Sequence, residues 1–297
     1  MSRVKSIRKA SALKSFIALA KPGIVSGNIV ATSAGFALGS VYTPFNFPLF
    51  LSVLLAMAFI MGSGCVLNNY IDRVADRVMH RTKNRPLATG AISERSAFIY
   101  ATILVVSGFF LLYYVSSPLV VFLASLGFII YVGVYSFVKY LSPIATQMGA
   151  IAGAVPPVVG YVAASSSLDF SALLIFSVMV FWQMPHFYAI AYYRIKDYKA
   201  ANIPVLVLKA SFKRTFWTML IYICAFLLAA CTLISYAELS PLGYIVITFA
   251  TLSWIKVCME GLSCTSQARW GKKMLRQSLI VINFWFLTLW INTLLTR

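Results

Sequence analysis

Long apolar stretches recur along this chain, each close to the roughly 20 residues that a helix needs to cross the hydrocarbon core of a bilayer. They number nine and run over 23–42, 47–67, 96–114, 118–138, 143–164, 170–193, 215–236, 240–260 and 277–296. One such stretch alone could be the buried helix of a large soluble enzyme. Nine in series, with few charges left over, argue against that. The expected fold class is all-α: a polytopic integral membrane protein of about nine transmembrane helices bundled around a central cavity.

Few soluble segments are left between the spans. The longest, 68–95, is too short for a separate domain, so the expected organisation is a basic cytoplasmic N-terminal segment, 1–22, and one transmembrane domain, 23–297. No small-residue cleavage site follows an apolar core near the start, and no Arg-rich, Ser-rich transit segment precedes the first span. A retained cytoplasmic surface helix and a bacterial inner membrane are therefore expected.

Basic residues sharpen the topology. They fall before the first span (Arg3, Lys5, Arg8, Lys9, Lys14, Lys21), after the second (Arg73 to Arg95), after the fourth (Lys139), after the sixth (Arg194 to Arg214) and before the ninth (Arg269 to Arg276). The loops near Pro44, Ser116, Asp169 and Glu238 carry none. Since cytoplasmic loops retain Lys and Arg, this alternation predicts a cytoplasmic N-terminus and an external C-terminus. It also accounts for the net charge of +18 without nucleic acid as a partner.

Composition then isolates the chemistry. The 297 residues are 61% hydrophobic and only 11% charged, with seven acids in all. Two basic segments on the same predicted face hold acids among Lys and Arg, around Asp72 and Asp197. The five cysteines form no C-x-x-C pair and have no His at zinc-ligand spacing, so they are read as small hydrophobes.

Asn68, Asp72 and Asp76 stand at i, i+4 and i+8, one stripe of a helix that drifts about 40° per step. Two carboxylates and an amide oxygen are the hard donors that Mg²⁺ takes, sharing its shell with water and substrate phosphate. The same acids could instead form solvated ion pairs with Arg73, Arg77 or Arg81. Arg81, Lys83 and Arg85 follow in RTKNRP and suit phosphate oxygens. The second segment supplies Tyr193, Lys196 and Asp197, so a metal-held diphosphate beside an apolar cavity is the expected site. His80, among arginines, is read as a surface residue.

Two spans carry unusual residues. GAIAGAVPPVVGY places Gly149, Gly153 and Ala154 where helices approach closely, and Pro156 with Pro157 are expected to break the helical ladder. FWQMPHFYAIAYY carries Gln183 and His186 inside a span beside Pro185, where polar cost favours a cavity-facing position.

These motifs resemble a known family. N-N-x-x-D-x-x-x-D at 68–76 and Y-x-x-K-D at 193–197 are similar to the two signatures of the UbiA-type intramembrane prenyltransferase superfamily. NNYIDRVADRVMHRTKNRP, GAVPPVVGY, FWQMPHFYAIAYYRIKDY and AANIPVL resemble its haem-modifying branch, and the likeness runs from about Lys21 to the last span. One departure concerns the second signature, which in the wider superfamily ends in a further Asp where Ala201 stands here. Fewer ligands are then left for a second metal.

The resemblance implies a transferase of the EC 2.5.1 type that moves the farnesyl group of farnesyl diphosphate to a vinyl group of haem B, with addition of water, to give haem O. It implies Mg²⁺ as cofactor on Asn68, Asp72, Asp76 and Asp197. It gives catalytic roles to Asp72, Asp76, Lys196 and Asp197, and diphosphate contacts to Arg81, Lys83, Arg85, Tyr193 and Lys196. Trp182, Gln183 and His186 are the expected haem contacts, haem being substrate and not cofactor. Membrane lipid, a downstream haem-modifying enzyme or a terminal oxidase would be partners, and the site would face the cytoplasm. Two other readings stay open at this point: a prenyltransferase for an aromatic quinone precursor, and a transporter lined by Asp72, Asp76 and Asp197.

Overall fold

The computed structural model describes residues 12–41 and 43–295 and contains helices and connections only. Thirteen helices run in the order α1 (Ala12–Leu19), α2 (Pro22–Gly39), α3 (Phe47–Val78), α4 (Glu94–Val115), α5 (Pro118–Ile129), α6 (Ser136–Val138), α7 (Ala145–Ser165), α8 (Phe170–Tyr193), α9 (Ile195–Ala200), α10 (Leu206–Lys209), α11 (Phe212–Tyr236), α12 (Leu242–Met259) and α13 (Gln267–Leu295). A π-helical turn, Ile130–Tyr135, joins α5 to α6. Among the described residues, eight helices or continuous helical runs are long and apolar enough to cross a membrane. The count becomes nine if α1 and α2, bent by 49°, form one broken span. The chain is thus a multi-pass membrane protein, in line with the apolar pattern. The N-terminal residues Arg3, Lys5, Arg8 and Lys9 and the C-terminal Arg297 lie outside the described residues.

Short polar residues start several spans. Asn46 accepts the Leu49 N–H at 3.0 Å, Ser93 that of Ser96 at 3.1 Å and Asp169 that of Ala172 at 3.1 Å, satisfying donors that the first turn leaves free. Phe110, Tyr114, Leu228 and Phe249 are exposed, as lipid-facing side chains are.

Packing is tightest between α2 and α7. A Cβ on Gly35 would stand 1.9 Å from the Pro157 carbonyl oxygen, and one on Gly160 would stand 2.0 Å from that of Thr32. Only glycine lets the two backbones meet there, the small-residue contact by which spans associate without a hydrophobic drive. The two prolines interrupt the ladder as expected, since neither has an N–H to donate, yet α7 is not broken: Pro156 and Pro157 lie inside a continuous helix. Proline removes single ladder bonds, and the close packing of α7 against α2 keeps the helix axis intact.

Candidate active site

α2, α3, α5, α7, α8 and α13 surround one cavity of about 760 Å³, the size of a site for a large organic molecule. Its wall is mostly apolar, with Met57, Ile60, Phe128, Val155, Met179 and Phe286, while its charged residues gather at one end. α3 carries the acidic ones, because it continues as helix for eleven residues beyond the apolar stretch that predicted it, from Asn68 to Val78. That continuation turns the i, i+4, i+8 spacing into a real stripe, and Asn68, Asp72 and Asp76 all line the cavity.

Each member of the stripe holds a cation from a different part of the chain. Lys21 Nζ donates to Asn68 Oδ1 at 2.5 Å, and Arg85 Nη1 donates to both Asp76 oxygens at 3.0 and 2.9 Å. Asp72 takes the Lys139 ammonium, and Tyr140 donates its hydroxyl to the same oxygen at 2.7 Å. Solvated pairs with neighbouring arginines are therefore excluded. Arg73 pairs with Glu94 at 2.7 Å, Arg77 Nε donates to the Ala88 carbonyl, and Asp76 is 3% exposed.

The π turn sets the geometry of this end. Ser136 donates both its N–H and its hydroxyl to the Tyr131 carbonyl five residues back, and its Oγ accepts Asn68 Nδ2 at 3.0 Å. The Asn68 amide is thereby fixed with its oxygen on the Lys21 side. Tyr131 and Tyr135 stack at 5.7 Å with an interplanar angle of 11°, lie against Gly64 and Gly149 and line the cavity. Such turns often mark functional sites, since they rotate side chains out of the α-helical register. Burial pulls the Lys139 pKa below the usual lysine value, against the opposing pull of Asp72. Burial, with the Asp72 carboxylate, also raises that of Tyr140, which therefore keeps the proton it donates.

Asn68 Oδ1 and the two carboxylates are a donor set that fits Mg²⁺. Among the described residues no three His, Cys, Asp or Glu side chains converge into a closed metal cage. A magnesium ion that completes its shell with water and substrate phosphate needs no such cage.

The second basic segment is placed differently from its expectation. Asp197 is buried but faces the loop after α3, where its Oδ1 accepts the His80 N–H at 2.9 Å. The two acid-bearing segments therefore do meet at one end of the bundle. Lys196 and Lys83 are exposed, and Tyr193 lies under Arg194 and Lys272 as a cation–π partner. None of these four residues lines the cavity, whereas Tyr198, Ile203 and Pro204 from the same stretch do. The reason is local: α9 turns Tyr198 inward, which carries Lys196 to solvent. Arg81 and Arg85 both line the cavity, as expected. His80 is exposed.

Lys21, Lys139, Tyr140, Tyr131, Tyr135 and Tyr198 were not anticipated as site residues. In the sequence Lys21 and Lys139 serve only as topology markers. For Lys21 a signal was present in the sequence, as it directly precedes a proline that opens a span. Its φ of 50° marks a break between α1 and α2 that turns its side chain inward.

Deeper in the cavity, Trp182, Gln183 and His186 line the wall as expected. Ser278 Oγ on α13 stands 2.8 Å from the Leu275 carbonyl and 2.8 Å from His186 Nδ1; when its one proton goes to the carbonyl, it accepts Nδ1–H. In that tautomer His186 carries a bare Nε2. Trp182 stacks on the imidazole at 4.6 Å and donates Nε1–H to the Ser278 carbonyl at 2.8 Å, bracing both residues. Gln183 is 3% exposed, and its amide has no hydrogen-bond partner among the described residues.

The chain has relatives among known proteins in both sequence and fold. The model of the "UbiA prenyltransferase family" matches residues 28–289. A "Protoheme IX farnesyltransferase" of Protochlamydia amoebophila is 45% identical over 275 residues, covering 92% of this chain and 96% of that one. A protein of the same description from Yersinia enterocolitica is 42% identical over 274 residues, 91% of each chain. A solved structure described in terms of digeranylgeranylglyceryl phosphate synthase in membranes superposes with a TM-score of 0.76 at 16% identity, over 95% of this chain and 98% of that one. A UbiA homologue from Archaeoglobus fulgidus bound to GPP and Mg²⁺ does so with a TM-score of 0.64 at 17% identity, over 93% and 99%.

Proposed function

The chain belongs to the UbiA prenyltransferase family, and from that premise we propose that it transfers the farnesyl group of farnesyl diphosphate to a vinyl group of haem B, with addition of water, releasing diphosphate and giving haem O. The observation that carries this reading is the union, in one cavity, of an oxygen-donor stripe at the mouth and a histidine with a bare Nε2 on the inner wall.

Asn68, Asp72 and Asp76 hold Mg²⁺, which when bound supplies Lewis-acid stabilisation of the charge that develops on diphosphate. Arg85, Lys139 and Lys21 stand at the same oxygens, Arg81 lines the cavity beside them, and together they clamp the leaving group, the kind of preorganised electrostatics that dominates such steps. Tyr131, Tyr135 and Phe187 present ring faces to the allylic carbon as its C–O bond breaks, worth about 0.5–2 kcal/mol each. Asp197 serves by pinning the loop that carries Arg81 and Arg85 through the His80 N–H. His186 ligates the haem iron through Nε2, oriented by Ser278 as metal-binding histidines are oriented through their other nitrogen.

An aromatic quinone precursor would leave the bare Nε2 of His186 without a duty. The enzyme acts in a bacterial inner membrane with the basic end of the cavity facing the cytoplasm, and hands haem O to a further haem-modifying enzyme or a terminal oxidase. Haems extracted from membranes with and without the protein, after addition of haem B and farnesyl diphosphate, test the assignment. A farnesylated haem is expected only with the protein. A prenylated aromatic acid in its place would overturn the acceptor.

A further inference from the structure

The polar surface on the inner wall is not exhausted by His186. One turn before it, Gln183 turns an unpartnered amide into the cavity from an almost fully buried position. The amide lies flat on Gly153 of α7, where a Cβ would come within 2.4 Å of Oε1. Two further acceptors belong to residues of the same stretch of wall. Pro156 and Pro157 have no N–H, so the carbonyls of Ala152 and Gly153, four residues back, receive no helical hydrogen bond from them, and both residues line the cavity. Met57, Val155, Met179 and Trp182 line the same cavity.

A neutral amide beside two acceptor carbonyls suits a small neutral molecule that both donates and accepts hydrogen bonds. The charged groups of the substrates do not fit. Diphosphate belongs to the cationic mouth, and a carboxylate would meet carbonyl oxygens here without a cation.

We propose that Gln183, with the Ala152 and Gly153 carbonyls, holds the water molecule that is added during the reaction. This rests on the haem-farnesylating reading above. The vinyl Cβ forms a bond to farnesyl C1 as the C1–O bond breaks and diphosphate leaves with the electron pair. Positive charge then stands on the vinyl Cα, conjugated with the porphyrin. The held water donates its hydrogens to Gln183 Oε1 and a carbonyl, which turns its lone pair toward Cα. The new O–Cα bond gives the hydroxyl, and the released proton passes to the departed diphosphate, a base formed in the same turnover. Without a held water, the cation loses a proton from the neighbouring carbon to the same base, and an alkene results.

The test is the product distribution of Gln183→Met, a variant of similar volume with no amide, given haem B and farnesyl diphosphate. Wild type is expected to give hydroxylated farnesyl haem. Gln183→Met is expected to give mainly the farnesylated alkene, lighter by one water, with the hydroxylated fraction reduced about tenfold or more, as loss of one to two hydrogen bonds predicts. Gln183→Glu, which keeps an acceptor oxygen, is expected to retain hydroxylation. A largely hydroxylated product from Gln183→Met overturns the proposal. So does loss of all farnesyl transfer in both variants with haem still bound, which would make Gln183 a substrate contact. If wild type itself forms no farnesylated haem, the reading of the reaction fails first.

Discussion

Arg85 grips both carboxylate oxygens of Asp76 through a single nitrogen, at 3.0 and 2.9 Å, in a pair whose acid is almost fully buried. Neither partner is a solvent-facing ornament. Asp72→Ala and Asp76→Ala are each expected to abolish product formation while membrane-inserted protein persists. Chelation of Mg²⁺ should do the same to wild type, reversibly. Haem extraction and a membrane-fraction blot check both, and retained activity in either variant would remove the metal role.

Asp197 distinguishes a metal ligand from a loop anchor. Because it accepts the His80 N–H, Asp197→Asn keeps that bond and should retain most activity, whereas Asp197→Ala should release the loop and lose much of it. A metal ligand would suffer from both changes. Lys196→Ala, on an exposed side chain outside the cavity, should leave turnover near wild type.

Ser278→Ala removes the acceptor that fixes the His186 tautomer. Haem affinity is expected to fall about 10–100-fold, as loss of an outer-shell partner does. The absorption spectrum of bound haem should shift with it. Equal loss of activity with unchanged affinity and spectrum would deny His186 its place on the iron.

Gly160→Ala tests the α2 and α7 seam. Its Cβ would meet the Thr32 carbonyl oxygen at 2.0 Å, so overpacking should cost about 1–3 kcal/mol, seen as a lower unfolding temperature in detergent. Gly23→Ala, with nothing within 4 Å of its Cβ, is the control and should melt like wild type.

Much of this was legible in the chain. The 170–193 stretch and helix Phe170–Tyr193 coincide, because apolar run and helix end together there. The last span starts ten residues before its apolar stretch, at Gln267, since its first turns are amphipathic and hydropathy passes over Arg269 to Arg276. Asn68, Asp72 and Asp76 could be found because their spacing is local and acids are scarce. Lys21 and Lys139 could not be joined to them, since 118 positions separate the two lysines and only the fold closes that distance. The π turn was equally hidden, because it depends on which carbonyl Ser136 chooses.

That turn makes span length a catalytic quantity. Helix register converts each inserted or deleted residue into about 100° of rotation for everything beyond it. Removing one residue between Ile130 and Tyr135 would restore a regular α-helix and leave the apolar span long enough for the bilayer. It would also swing Lys139 and Tyr140 away from Asp72, and take Ser136 from Asn68. The chain therefore tolerates changes of side chain along this wall more readily than a change in the count of residues.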